Sequence, residues 1–181
     1  MLCTGNICRS PMAEGLFRRD LAAAGVDAVV ESAGLVTQGQ EASRHGVDAM
    51  ARRGVDISAH RSRRLSSYLI DEADLIVGME RQHVREVAVL DGPAFARTFT
   101  LPELARGARA VGPRRPDESL DAWLSRVGGS RRPGDMLGHD PDDEVADPIG
   151  RSAKHYERTA VEIEALVRTV VDHLFPRSPQ D

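Results

Sequence analysis

The chain has 181 residues, 41% of them apolar and 29% charged, a balance that fits one domain with a sizeable core. Its formal net charge is -4, so no global field would draw it onto nucleic acid or anionic lipid, and any anion site has to be local. No basic segment leads into an apolar stretch at the start, and no run is long enough to cross a bilayer. Both points indicate a cytoplasmic protein without nucleic-acid or membrane partners.

Aromatic residues reach only 4%, which leaves Ala, Val and Leu to build the core. Both cysteines, Cys3 and Cys8, lie near the N-terminus, a poor layout for disulfides that close long loops. Their clustering suggests chemistry.

In chain order, the first helix is predicted from Ser10, as N-cap, with Pro11 in its first turn and Gly25 as terminator. The β-branched run Ala28 to Gly34 reads as a short strand, and a second helix is expected from about Glu41 to Arg53. Ala73 to Met79 has the apolar character of a buried parallel strand, followed by a helix from Glu80 to Leu90. Thr98 to Leu101 is a further strand, followed by a short helix from Pro102 to Ala108. The alternation predicts an α/β fold around a small parallel sheet.

From Arg106 to Glu144 the composition turns to Gly, Pro, Arg and Asp. Within it, Leu120, Trp123, Leu124 and Val127 have helical spacing, so a surface excursion carrying one helix is expected. Arg61 to Arg64, Arg114-Arg115 and Arg131-Arg132 read as solvated charges. Asp140, Asp142, Asp143 and Glu144 lack the ligand order of a calcium loop and read as a solvated acidic stretch, so no metal is expected. None of the six histidines has zinc spacing to a cysteine. Ala153 to Leu174 places Ala160, Ile163, Leu166, Val167, Val170 and Leu174 on one face of a closing helix. Residues 1–176 then form one domain, with 177–181 a disordered tail.

The segment Cys3-Thr4-Gly5-Asn6-Ile7-Cys8-Arg9-Ser10-Pro11 carries the chemistry. A Gly-containing loop that runs into a helix N-terminus can turn successive backbone N–H groups inward around an anion. The same field favours a thiolate at Cys3, with Ser10 as a further donor. Arg9 offers a planar fork matched to two phosphate oxygens. Asn6 tolerates left-handed backbone angles and can brace the loop. Asp147, stiffened by Pro148, is placed to present a carboxyl to a leaving oxygen.

As a block, this nonapeptide resembles the phosphate-binding loop of the low-molecular-weight protein tyrosine phosphatases. The resemblance continues through Ser32-Ala33-Gly34, through Gly54 to Arg63, through Ala73 to Met79 and through Ala146-Asp147-Pro148. It implies a four-stranded parallel sheet in a three-layer α/β/α fold. It also implies Cys3 as nucleophile, Arg9 as phosphate ligand, Asp147 as general acid and residues 4–10 (Thr4, Gly5, Asn6, Ile7, Cys8, Arg9, Ser10) as the phosphate cradle. The reaction is then hydrolysis of phosphotyrosine in protein substrates through a phosphocysteine, without a cofactor. His60 is matched as a scaffold residue.

Cys8 either packs as a buried thiol or forms a reversible redox disulfide with Cys3 that protects the nucleophile.

Three departures from the family pattern stand out. Only Met1 and Leu2 precede Cys3, so the first strand reads as cut short. Ile149 and Gly150 follow Asp147-Pro148 where many members carry aromatic residues, so a substrate ring would have to rest on aliphatic side chains, as from Leu35 to Gln40. The 106–144 stretch is longer than expected. The alternative function is an arsenate reductase that uses a small-molecule thiol; a version with a cysteine relay is excluded because no cysteine follows Cys8. The physiological substrate and oligomeric state are left open by the sequence.

Overall fold

The computed structural model describes residues 1–129 and 131–176; the tail 177–181 lies outside them. Four short strands, β1 (Leu2–Cys3), β2 (Ala33–Gly34), β3 (Ile76–Gly78) and β4 (Thr98–Thr100), pair in parallel in the order β2-β1-β3-β4. Among the described residues seven α-helices surround them: α1 (Arg9–Ala23), α2 (Arg44–Ala51), α3 (Ser67–Asp71), α4 (Arg81–Leu90), α5 (Leu101–Val111), α6 (Leu120–Gly128) and α7 (Ala153–Leu174).

Alternation along the strands builds the three layers. Cys3, Val77 and Phe99 face the larger core, filled from α1, α2, α5, α6 and α7 by residues such as Leu16, Met50, Leu104, Trp123 and Ile163. Leu2 and Ile76 face the other side and meet Ile70, Val87 and Ala94 from α3, α4 and the turn before β4. Neighbouring strand residues thus serve opposite cores, as a period of two requires.

β1 holds a central slot through Leu2 and Cys3. Leu2 and Cys3 pair with Ala33 and Gly34, Leu2 also pairs with Gly78, and the Leu2 carbonyl accepts from Met79 N at 3.0 Å. The expected strand Ala28 to Gly34 shortens accordingly to its last two residues, which lie beside β1, and Val29 stays 90% exposed. At the end of α1, Gly25 takes φ +71° and Val26 N reaches back to Leu21 O at 3.0 Å, the glycine-terminated stop that was predicted. Helix α3 carries no sequence signal beyond Ser66, whose hydroxyl caps Leu69 N.

The stretch read as a surface excursion is anchored instead. Helix α5 runs on to Val111, and Trp123, Leu124 and Met136 are buried. The guanidinium of Arg131, read as solvated, lies between the rings of Phe95 and Phe99, 4.1 and 4.0 Å from their centroids. It also donates to the Thr98 carbonyl. Stacking on two aromatic faces offsets its loss of water.

Candidate active site

The order β2-β1-β3-β4 reverses direction between β1 and β3, and the loop after β1 opens at that point, at the carboxyl ends of the strands. Open α/β sheets bind ligands in such a crevice. Residues 4–8 form this loop and Arg9 starts α1.

The loop is held from within by Asn6. Its φ is +49°, the left-handed region that side chains seldom adopt. Its buried amide stabilises that conformation: Nδ2 donates to Ser10 Oγ (2.9 Å) and Ser32 Oγ (2.7 Å), and Oδ1 accepts from Arg63 N (2.9 Å). His60 Nε2 lies 2.8 Å from the Asn6 carbonyl. Gly34 lets the loop lie against β2, since a Cβ there would sit 2.8 Å from Asn6 N.

The sulfur of Cys3 sits inside this brace. Asn6 N–H donates to it at 3.2 Å, and Ser10 Oγ lies 3.0 Å away. Because Ser10 Oγ accepts from Asn6, its own proton is free for the sulfur. Ser10 is therefore a residue of the first helical turn rather than the predicted N-cap: Cys8 holds the cap position, with no side-chain cap bond, because the Ser10 hydroxyl is engaged with Cys3 and Asn6.

Arg9 is 1% exposed. Its Nη1 donates to Glu80 Oε1 and to the Val145 carbonyl (2.9 Å), and its Nη2 to Asp147 Oδ2 at 2.7 Å. Among the described residues its buried Nε has no acceptor. Asp147 Oδ1 accepts from Ile149 N at 3.1 Å, and Val145 N donates to Met79 O at 2.8 Å. The fold therefore gathers Cys3, Arg9, Ser10 and Asp147 around one loop, across 138 positions of sequence between Arg9 and Asp147.

The remaining loop residues divide. Thr4 Oγ1 lies 3.2 Å from His83 Nε2, and the Gly5 carbonyl accepts from the Thr37 hydroxyl. The Ile7 carbonyl accepts from Ser43 N at 2.7 Å, which sets the start of α2 against the loop. Both cysteines are free and buried; Cys8 Sγ lies 3.3 Å from the Tyr156 hydroxyl. Burial pushes the Cys8 thiol up, and burial with the Cys8 contact pushes Tyr156 up to about 12.

Glu80 and His83 were not singled out in the sequence as site residues. They form a capping box at the start of α4, in which Glu80 N donates to His83 Nδ1 at 2.9 Å. The tautomer follows: Nε2 keeps the proton and donates to Thr4. Burial, and then the nearby Arg9 charge, lower His83 to about 3, so the ring is neutral. The available signal was Glu80-x-x-His83 directly after a buried strand. The acidic stretch also needs correction, for Asp143 is buried and paired with Arg81 and Arg106 rather than solvated.

Fold and loop define a class: a parallel α/β protein with a braced anion loop, a thiol at its base and a guanidinium–carboxylate pair at its rim. Residues 1–111 match the family model described as "Low molecular weight phosphotyrosine protein phosphatase", and the chain belongs to that family. It is 30% identical to the protein-arginine-phosphatase of Bacillus subtilis (strain 168), over 96% of this chain and 93% of that one. A probable low molecular weight protein-tyrosine-phosphatase of Ralstonia nicotianae is 33% identical over 70% of this chain and 93% of its own. The solved low molecular weight protein tyrosine phosphatase from T. tengcongensis superposes with a TM-score of 0.72 at 28% identity, covering 96% of each chain. The chain is thus a phosphatase, a hydrolase of the cysteine-nucleophile kind. Among the described residues no helix is long and apolar enough to cross a membrane.

Proposed function

We propose that this phosphatase removes phosphate from phosphotyrosine in proteins, with Cys3 as nucleophile, Arg9 as phosphate ligand and Asp147 as general acid. One observation carries the reading: the Cys3 sulfur, receiving Asn6 N–H at the base of the loop, shares that loop with a guanidinium already bonded to Asp147. The Arg9 Nε without an acceptor is a donor that a phosphate oxygen would satisfy.

In the first step Cys3 Sγ attacks phosphorus, the bond to the phenolic oxygen breaks, and protonated Asp147 gives its proton to that oxygen. In the second, Asp147 takes a proton from water, the water oxygen attacks phosphorus, and the S–P bond breaks to release phosphate and the thiolate. Backbone N–H groups of Thr4 to Ser10 and the Arg9 fork hold the equatorial oxygens throughout. The side chains of Val36 and Ile149, 61% and 51% exposed, are apolar surface on the two segments bonded to the loop and to Asp147, and suit an aryl ring. The reading takes residues 1–176 as one domain and the enzyme as cytoplasmic, where a thiol nucleophile stays reduced.

A second reading is phosphoarginine as substrate. Two relatives that match over 96% of this chain, from Bacillus subtilis (strain 168) and Geobacillus stearothermophilus, are protein-arginine-phosphatases, and Ile149-Gly150 supplies no aromatic wall after Pro148. The test is phosphate release, with EDTA present, from para-nitrophenyl phosphate and from matched phosphotyrosine and phosphoarginine peptides. Turnover of the phosphotyrosine peptide, blocked by vanadate and absent in Cys3→Ser, is expected. Release from the phosphoarginine peptide alone would transfer the assignment to the second reading. Arsenate-dependent thiol consumption with no phosphate release from any of them would overturn both.

A further inference from the structure

Asp143 is an acidic residue four positions before the proposed general acid and takes no part in the chemistry above. It is 3% exposed. Its Oδ2 accepts from Arg81 Nε at 2.8 Å and Arg81 Nη2 at 2.6 Å, and its Oδ1 accepts from Arg106 Nη2 at 2.5 Å. Burial alone would raise it, but Arg106 and Arg81 hold it below the usual carboxylate range. Arg81 Nη2 also reaches Asp140 Oδ2 at 2.8 Å, and Arg106 Nη1 the Asp142 carbonyl at 3.2 Å.

What the carboxylate is tied to matters most. Arg81 follows Glu80, the residue that grips Arg9. From Asp143 the chain passes to Val145, whose N–H is bonded to Met79 and whose carbonyl is bonded to Arg9, and then to Asp147. The acid loop is therefore fixed at Asp143 and at Val145 to the same helix start that holds the phosphate ligand. An error in this anchor displaces the Asp147 carboxyl relative to the leaving oxygen while leaving the cradle around Cys3 untouched.

We infer that Asp143, clamped by Arg81 and Arg106, is the positioning residue for the general acid Asp147. The inference rests on the assignment of Asp147 made above. Its loss should impair proton delivery and should not weaken phosphate binding or nucleophilic attack. Proton delivery matters most when the leaving phenol is a poor leaving group, so the defect has a signature that a general loosening of the fold lacks.

The experiment measures kcat/KM, which reports transfer to the cysteine, for aryl phosphates whose phenols range from strongly to weakly acidic. Wild type, Asp143→Asn, Arg106→Gln and Asp147→Asn are compared, with vanadate inhibition measured for each. Asp143→Asn should lose little with the most acidic phenol and on the order of 10- to 100-fold with the least acidic, with vanadate inhibition no weaker than in wild type. Arg106→Gln, which changes a half-exposed side chain and tests the clamp should Asn at 143 not fold, should show the same trend at smaller size. Equal loss across all phenols, weakened vanadate binding, or no loss in either variant would overturn the inference. If Asp147→Asn itself shows no dependence on the phenol, the assignment of the acid fails, and the positioning role fails with it.

Discussion

Arg9 Nη2 holds Asp147 Oδ2 at 2.7 Å, so the proposed phosphate ligand and the proposed acid are bonded to each other in the free enzyme. An incoming phosphate competes with the carboxylate for the guanidinium. Asp147→Asn should therefore do two opposite things. It should lower kcat/KM for phosphotyrosine about 10²- to 10⁴-fold, and it should tighten inhibition by inorganic phosphate. Inhibition constants for phosphate in wild type and variant check the second half; weaker inhibition in the variant would show that Asp147 does not compete for Arg9.

His83 predicts a pH dependence of stability. In the folded chain it is lowered to about 3, whereas unfolded it titrates near 6.5. As pH falls below 6.5 the unfolded chain takes up a proton that the folded one refuses, so the stability present above that value is progressively lost down to about 3. The slope cannot exceed about 1.4 kcal/mol per pH unit for one group. Denaturation midpoints from about pH 7 to pH 5 should fall more steeply in wild type than in His83→Gln. Parallel profiles would mean that the ring accepts its proton in place.

Gly34 stands where no side chain fits, since a Cβ would meet Asn6 Cβ and Asn6 N at 2.8 Å and the Gly5 carbonyl carbon at 3.0 Å. Gly34→Ala should cost roughly 1–3 kcal/mol and displace the loop, weakening vanadate inhibition and turnover together. A variant with lower stability but unchanged vanadate inhibition would show that the loop keeps its shape without this contact.

Trp123 anchors α6: it is 0% exposed and its Nε1 donates to the Gly112 carbonyl at 3.2 Å. Trp123→Ala should lose about 3–5 kcal/mol, read as a shifted denaturant midpoint. Trp123→Phe, which keeps most of the packing, should lose less. A small loss for the alanine variant would make α6 an ornament on the fold rather than part of its core.

Local signals carried much of this structure. The loop nonapeptide, the apolar run before Gly78 and the amphipathic Ala153–Leu174 are short-range patterns, and each emerges close to where it was read. What the sequence did not reveal depends on pairing between distant segments. Arg131 and Asp143 look like solvent-facing charges until Phe95, Phe99, Arg81 and Arg106 are brought beside them. Glu80 looks like an ordinary helix-start acid until Arg9 arrives from 71 positions away. The run Ala28 to Gly34 pairs only over Ala33–Gly34, and β propensity does not encode how much of a neighbour is available to pair with.

The start of α4 concentrates risk. Glu80, Arg81 and His83 touch, respectively, Arg9, Asp143 and Thr4. A shift of that whole helical turn would carry the proposed phosphate ligand, acid loop and nucleophile loop together, so substitutions beneath α4, at Val84 or Val87, should lower activity in proportion to how far they tilt the helix, without touching any of the proposed catalytic groups.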